Sequence, residues 1–333
     1  MVQCVRVPKE DGERVKGRLI SSGLLDKGAK IKADGNHILI PILSDRFEDH
    51  ETLDADLEPT DMKERDYRNV AAVPDELKDI LPNSFDVIGD IAVVKIPDAL
   101  IPYADAIGDA LLRTSSSLRA VLMDAGVKGD LRIRDVRMIA GSGPSETIYR
   151  EFGVTMVVDP VKAYFNPRLS TERMRVASMV RDGEIVIDMF AGIAPFPLVI
   201  SKHSGPSMIY SIDVNEDAVD LMERNIRMNK ADNIKAICGD ATEAVRELPM
   251  ADRIIMNLPQ MADSFLPDAL SRLKDGGTVH MHKIMERGSS GDVVSGIVEN
   301  MHKLGYNIRV DRAAELKTYS PTMSVYVIDI VKE

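Results

Sequence analysis

Residues 186–196 read VIDMFAGIAPF, and this stretch decides the fold. An apolar run reaches Asp188 and then breaks into a small-residue turn around Gly192 and Ala194. A strand buried on both faces of a parallel sheet delivers its carboxyl end to a nucleotide-type ligand in this way. A second strand-like run, Ser207–Ile212, ends in Asp213, where an acid can accept hydrogen bonds from a ribose diol. Working outward, strand and helix alternate through 163–333. Strands are expected at Glu184–Met189, Met208–Asp213, Ile234–Cys238, Arg253–Met256, Thr278–His282, Ile308–Leu316 and Ser324–Val331. Amphipathic helices lie between them, the clearest being Glu216–Met228. Such alternation implies a parallel, doubly wound sheet. The last two strands leave no room for a helix between them and read as an antiparallel hairpin that closes the sheet.

Seven strands closed by that hairpin suit an α/β, Rossmann-like class I methyltransferase that uses S-adenosylmethionine (SAM). SAM asks three things of the sheet, and all three occur in order. A turn after strand one, Phe190–Ala194 beyond Asp188, lets the methionine part approach the backbone. An acid after strand two, Asp213 followed by Val214, meets the ribose. A polar group after strand three, Asp240 followed by Ala241, meets the adenine edge. A nicotinamide dinucleotide would need G-x-G-x-x-G/A under its pyrophosphate, whereas Pro195 and Pro197 remove backbone donors from the corresponding turn. Plainer readings stand beside these. Asp213 can cap the helix near Asn215, Asp240 can cap the helix at Ala241, and Phe190 can be core.

After strand four, MNLP (256–259) projects the Asn257 amide at the carboxyl edge, with Pro259 stiffening the turn. Just before the sheet comes YFNPRLSTERMR (164–175). Ser170-Thr171-Glu172 opens a helix there, and Glu172 and Arg173 point about 100° apart, so they can serve different ligands. A solvated helix face with a Glu172 salt bridge is the plain alternative.

The remaining chain divides into 1–46, a small α/β unit; 47–66, an acidic linker; and 67–162, a second α/β unit. In the first, CVRVP is strand-like, Glu10–Leu25 is helical, and two short strands meet at Asp34–Gly35. In the second, 86–96 is strand material, Pro102–Thr114 and Ser115–Asp124 are helical, and Thr147–Tyr149 with Val154–Val158 form a hairpin. The 333 residues carry a net charge of −11 and 44% hydrophobic residues, an ordinary balance for a water-borne chain. No apolar run approaches the roughly 18 residues that span a bilayer. Cys4 and Cys238 suggest neither a disulfide framework nor a zinc site; no metal is expected, and a cytoplasmic protein is. Arginines gather at Arg132–Arg137 and Arg168–Arg181, faces suited to phosphates.

YFNPRLSTER, DMFAG..PF, MNLP and the late KTYSP (317–321), with CVRV, LISSGLLD and GNHILIPI at the start, resemble archaeal Trm-five-type tRNA (guanine-37-N1)-methyltransferases over essentially the whole chain. The resemblance implies three domains and methyl transfer from SAM to N1 of guanosine 37, beside the anticodon. The partner would be a tRNA held at its anticodon loop and outer corner by a monomer, without a membrane. It implies Glu172 as the general base, Arg132 as partner of O6, and Asn257 with Pro259 on the target base. It also places Arg173 on the cofactor carboxylate and Tyr164 beside the pocket. A wyosine-pathway enzyme acting at the same nucleotide, by methyl or aminocarboxypropyl transfer, is the alternative. One departure stands out: Ala194 replaces the family's second loop glycine, which alanine tolerates at negative φ.

Overall fold

The computed structural model describes residues 1–60, 66–128 and 133–333, without the side chains of 127, 128, 133 and 134. The chain forms two compact units, Met1–Asn69 and Val70–Glu333. In the first, β1 (Val2–Pro8), α1 (Gly12–Ser21), β2 (Lys32–Asp34), β3 (His37–Pro41) and β4 (Glu51–Ala55) follow one another, and the antiparallel sheet runs β2-β3-β1-β4. Val15 and Leu19 of α1 pack on Val5, Val7 and Ile40. The stretch 47–66, expected as a linker, thus contributes the strand Glu51–Ala55, while 61–65 lie outside the described residues. Glu51–Ala55 pairs with β1 as a strand, and Leu53 with the following Leu57 packs with Cys4 and Leu39. A short strand at a sheet edge tolerates charged residues and so can have the composition of a linker.

In the second unit, β5 (Asp86–Ile88), β6 (Ile91–Val94), α2 (Ala104–Thr114), β7 (Ala120–Lys128) and β8 (Ile133–Gly141) build a sheet in the order β5-β6-β7-β8. Two sequence expectations change here. Residues 86–96 are two strands turning at Gly89, whose φ is +58°. A Cβ there would come within 2.5 Å of the Ile148 carbonyl oxygen. Residues 115–124 are not a helix, because Ala120, Val121 and Leu122 are fully or almost fully buried in a central strand paired on both sides. Tertiary burial overrides local propensity at that place. The hairpin β9 (Thr147–Glu151) and β10 (Val154–Val158) follows as expected.

The rest is the expected alternation: α3 (Ser170–Met179), β11 (Ile185–Asp188), α4 (Pro195–His203), β12 (Met208–Asp213), α5 (Glu216–Asn229), β13 (Ile234–Cys238), α6 (Ala241–Arg246), β14 (Ala251–Met256), α7 (Ala262–Ser271), β15 (Leu273–Glu286), α8 (Ser290–Lys303), β16 (Ile308–Thr318) and β17 (Met323–Lys332). The seven-stranded sheet runs β13-β12-β11-β14-β15-β17-β16, with β17 antiparallel to both neighbours. Residues of α3, α4 and α5 share a core with Val186, Ile209 and Ile255 on one face, and residues of α6, α7 and α8 with Ile187, Ile254 and Val279 on the other. The strand order reverses between β11 and β14, so a crevice opens at their carboxyl ends. The β9–β10 hairpin docks on this domain: the Asn225 amide bonds both Val157 backbone groups, and Asn229 bonds those of Thr155. The hairpin also bonds the other side, Thr147 Oγ1 donating to Asp90 at 2.7 Å, and everything from Val70 onward lies in one compact unit. Among the described residues no helix is long and apolar enough to cross a membrane.

Candidate active site

The loop after β11 is held by its own backbone. Ala191 N–H donates to the Ile212 carbonyl (2.8 Å), and Gly192 N–H donates to Asp213 Oδ2 (2.7 Å). Gly192 has φ +55°, and the position of an added Cβ is open except for the Tyr164 carbonyl at 3.6 Å, so a ligand can approach the backbone there. Ala194 lies in the left-handed region, φ 68° and ψ 40°, not at negative φ as tolerance of alanine required. An alanine there is strained by about 1 kcal/mol; its amide bonds the Ala191 carbonyl, and its methyl is wholly buried.

Asp188 sits beneath this loop, 1% exposed, and accepts from the Phe190 amide at 3.2 Å. Burial pushes its pKa up to about 8, so near neutrality it is largely a neutral acid. It braces the loop and does not face solvent. Asp213 takes the Gly192 amide on one oxygen and the Asn215 amide on the other, and burial raises its pKa too. The cap of α5 is Asn215, not Asp213, which leaves the remaining lone pairs of Asp213 for hydroxyl donors. Asp240 does cap α6, accepting from Thr242 and Glu243 with Oδ1; its other oxygen is uncommitted by those bonds. Val214 is exposed, Ala241 buried, and half-buried Phe190 packs edge-on against Phe265 at 4.9 Å. Tyr164 is 44% exposed, and its hydroxyl accepts from Asn166. A glycine at positive φ, a braced carboxylate and an exposed rim of Val214 and Tyr164 fit an adenosine-bearing cofactor.

On α3 both expected residues are buried. Arg173, 1% exposed, is latched to Glu151 by two bonds of 2.5 and 2.6 Å, and its Nη1 donates to the Asn166 carbonyl. It lies over the Phe165 ring at 5.5 Å. This closed arrangement differs from an arginine open to a cofactor carboxylate. Glu172, 3% exposed, receives Arg175 Nε and Nη2 on its two oxygens, each at 2.8 Å. Arg175 is shared: Nη1 and Nη2 also reach Asp329 at 2.8 and 3.0 Å. Asp329 takes His280 Nδ1 at 2.6 Å, and His280 Nε2 faces Arg253 Nη1 at 2.7 Å. Arg253 is paired with Glu184. His282, fully buried, puts Nε2 3.9 Å from Glu172 Oε1, and neither ring nitrogen makes a hydrogen bond among the described residues. Burial presses its pKa down to about 4, so the ring is neutral.

Half-buried Asn257 follows β14 in this crevice, and the Pro259 carbonyl accepts from Ile284 N–H at 3.0 Å, tying the loop to β15. Arg132 lies outside the described residues. The basic face foreseen at Arg168–Arg181 is largely spent on carboxylates: Arg168 pairs with Asp86, Arg173 with Glu151, Arg175 with Glu172 and Asp329. Sequence reasoning missed Glu151, Arg175, His280, His282 and Asp329. The one signal for them was alternation in Val279–His282, which turns both histidines away from the face of Val279 and Met281.

Three family profiles match the chain: the TRM5/TYW2 methyltransferase domain over 147–309, the TYW2 N-terminal domain over 70–144, and the tRNA methyltransferase 5 N-terminal domain over 4–57. The chain is 39% identical to tRNA (guanine(37)-N(1))-methyltransferase Trm5b of Pyrococcus abyssi, over 99% of this chain and 98% of that one. Among solved structures it resembles the crystal structure of wild-type Trm5b from Pyrococcus abyssi, with TM-score 0.83, 39% identity and 100% of each chain covered. It also resembles the complex of aTrm5 and tRNALeu, with TM-score 0.79, 29% identity and 99% of each chain covered.

Proposed function

Because the chain belongs to the TRM5/TYW2 methyltransferase family, whose cofactor is SAM, we propose that it methylates N1 of guanosine 37 in tRNA. The observation that carries this reading is the full-length likeness to Trm5b, first unit included. When bound, SAM supplies a methyl group on a positively charged sulfur. The Phe190–Ala194 loop approaches its methionine part, Asp213 takes the ribose hydroxyls, and Asp240 with Ala241 lies at the adenine edge. Val214 and Tyr164 line the rim, while Asp188 holds the loop from below. Arg173 acts from behind, through its latch to Glu151.

Guanine N1 is a poor nucleophile until its proton leaves, so a base must lie within hydrogen-bond reach. Glu172 is that base. The N1–H electrons stay on the ring and the proton goes to the carboxylate, which makes N1 able to take the methyl group that bound SAM would supply. Charge grows on O6 as the proton leaves, and a fixed cation there lowers the barrier; Arg132 is assigned this part by resemblance. The Asn257 amide, on a turn stiffened by Pro259 and pinned to Ile284, orients the base. The nucleotide must leave its stack to enter, at a few kcal/mol.

Methyl transfer to unmodified tRNA carrying guanosine or adenosine at position 37 tests the reading, with the nucleoside identified by mass. Only 1-methylguanosine, and only from the guanosine substrate, is expected. Methylation of the adenosine substrate, or of another guanine atom, would sink it. The TYW2-type profile over 70–144 favours a second reading, a wyosine-pathway transfer at this position. A product heavier by an aminocarboxypropyl arm would select it.

A further inference from the structure

The charges behind Glu172 do not balance. Glu172, Asp329 and Glu184 are three carboxylates against the two guanidiniums of Arg175 and Arg253, with His280 between them. His280 Nε2 lies 2.7 Å from Arg253 Nη1, a guanidinium nitrogen that can only donate, so Nε2 accepts, Nδ1–H donates to Asp329, and the ring carries no charge; burial, outweighing the pull of Asp329, lowers its pKa in the same sense. Burial also acts to raise the Asp329 pKa, but the His280 N–H bond and the Arg175 guanidinium outweigh it and hold it down at about 2. The cluster is thus one proton short of neutral, and Asp329 is not where that proton goes.

The other groups facing Glu172 leave the balance intact. From β15 comes neutral His282, and from α4 comes Phe196, whose ring centroid lies 5.8 Å from that of His282. The charged end of α4 lies elsewhere: His203 bonds the Phe152 carbonyl, and Lys202 lies by Gly153. Among the described residues only the Arg175 guanidinium grips the Glu172 oxygens, and it is divided between two carboxylates.

We propose that Asp329 is a positioning residue for methyl transfer: by holding half of Arg175 it stops Glu172 from closing into a one-to-one ion pair, and so keeps the base ready for the N1 proton. This rests on Glu172 being the base. A carboxylate paired alone with a buried guanidinium keeps its negative charge against protons. Dividing that guanidinium weakens the grip without removing the geometry that aims the carboxylate.

The test is single-turnover methyl transfer at saturating SAM and tRNA across pH. Asp329→Asn should lower the rate at neutral pH roughly tenfold and move the acid limb of the profile to lower pH by roughly one unit. The KM values for SAM and tRNA should stay within about twofold. Arg175→Gln should move the limb the opposite way, because Glu172 then loses its cation. Asp329→Glu, which keeps the charge, should leave the limb near its original place, and with Arg175→Gln it decides the matter if Asp329→Asn does not fold. Limbs that stay put in both Asp329→Asn and Arg175→Gln, or that move in the same direction, overturn the proposal. If the wild-type limb survives in Glu172→Gln, it is the base assignment that fails.

Discussion

The loop after β11 and the first turn of α3 both bury acids beside the crevice, and they satisfy them differently. In the loop, Asp188 and Asp213 are met by backbone amides of Phe190, Gly192 and Asn215. Nothing there balances charge, so burial raises the pKa of both acids. On α3, Glu172 and Arg173 are met by full charges. Arg173 and Glu151 form a closed pair, with side chains 1% and 5% exposed, whereas Glu172 shares its partner with Asp329. Backbone-satisfied acids and closed pairs hold shape. A carboxylate in a shared pair is built into the fold and still able to change protonation.

The largest effect expected breaks the shared pair at its reactive end. Glu172→Gln keeps the size and can still accept from Arg175, so it should fold and bind SAM. It should lose turnover by about 10²–10⁴-fold, the usual worth of a positioned base. Near-wild-type transfer in a quench assay would remove Glu172 from the chemistry. Next comes the closed pair. Arg173→Met strands Glu151 as a buried unpaired charge, a loss of about 3–5 kcal/mol by denaturant unfolding. A variant of wild-type stability with weak SAM binding would instead mean that Arg173 opens to the cofactor, and the contrast between the two neighbours would fall.

On the loop side, Asp188 makes the fold sensitive to pH. The unfolded chain ionises Asp188 above its usual 3.8, while the folded one keeps it protonated up to about 8. The unfolded state therefore releases a proton that the native state holds, and this residue costs stability progressively as pH rises between those values. Asp188→Asn can keep the acceptor for the Phe190 amide and abolishes the dependence. It should be more stable than wild type by on the order of 4 kcal/mol at neutral pH, and no more stable below the lower value. Equal unfolding free energies at both pH values would show that Asp188 is charged in the fold.

The legibility of the two regions differs for the same reason. The loop could be read from the sequence because its signals are local: an apolar run, an acid at its end, then small residues. All seven strands of the sheet were visible through alternation, closing hairpin included. The α3 cluster was not visible, because Arg175 and Asp329 are 154 residues apart and only the pairing of β15 with β17 sets His280 beside Asp329. Glu151 was hidden because it lies on a hairpin 22 residues before the Arg173 it pairs with. Ser115–Asp124 failed for a related cause: nothing in its own residues says that strands will form on both sides of β7.

The smallest expected effect concerns Ala194, where the loop pays no charge penalty but carries backbone strain. At φ 68° a glycine would release about 1–2 kcal/mol of Cβ crowding. Against that, Ala194→Gly removes a methyl group from the core, where Ala194 is 0% exposed, at about 0.8 kcal/mol. It also loosens the unfolded chain by about 0.4–1 kcal/mol. These terms nearly cancel, so unfolding free energy should change by less than about 1 kcal/mol, and SAM affinity by no more than a few-fold. Alanine therefore persists here without a stability reason to leave, and the loop's shape is imposed by the Ala191 and Gly192 bonds to β12 and its end. A large fall in SAM affinity would give the methyl itself a place in the cofactor pocket, and the loop would then hold its ligand with more than its backbone.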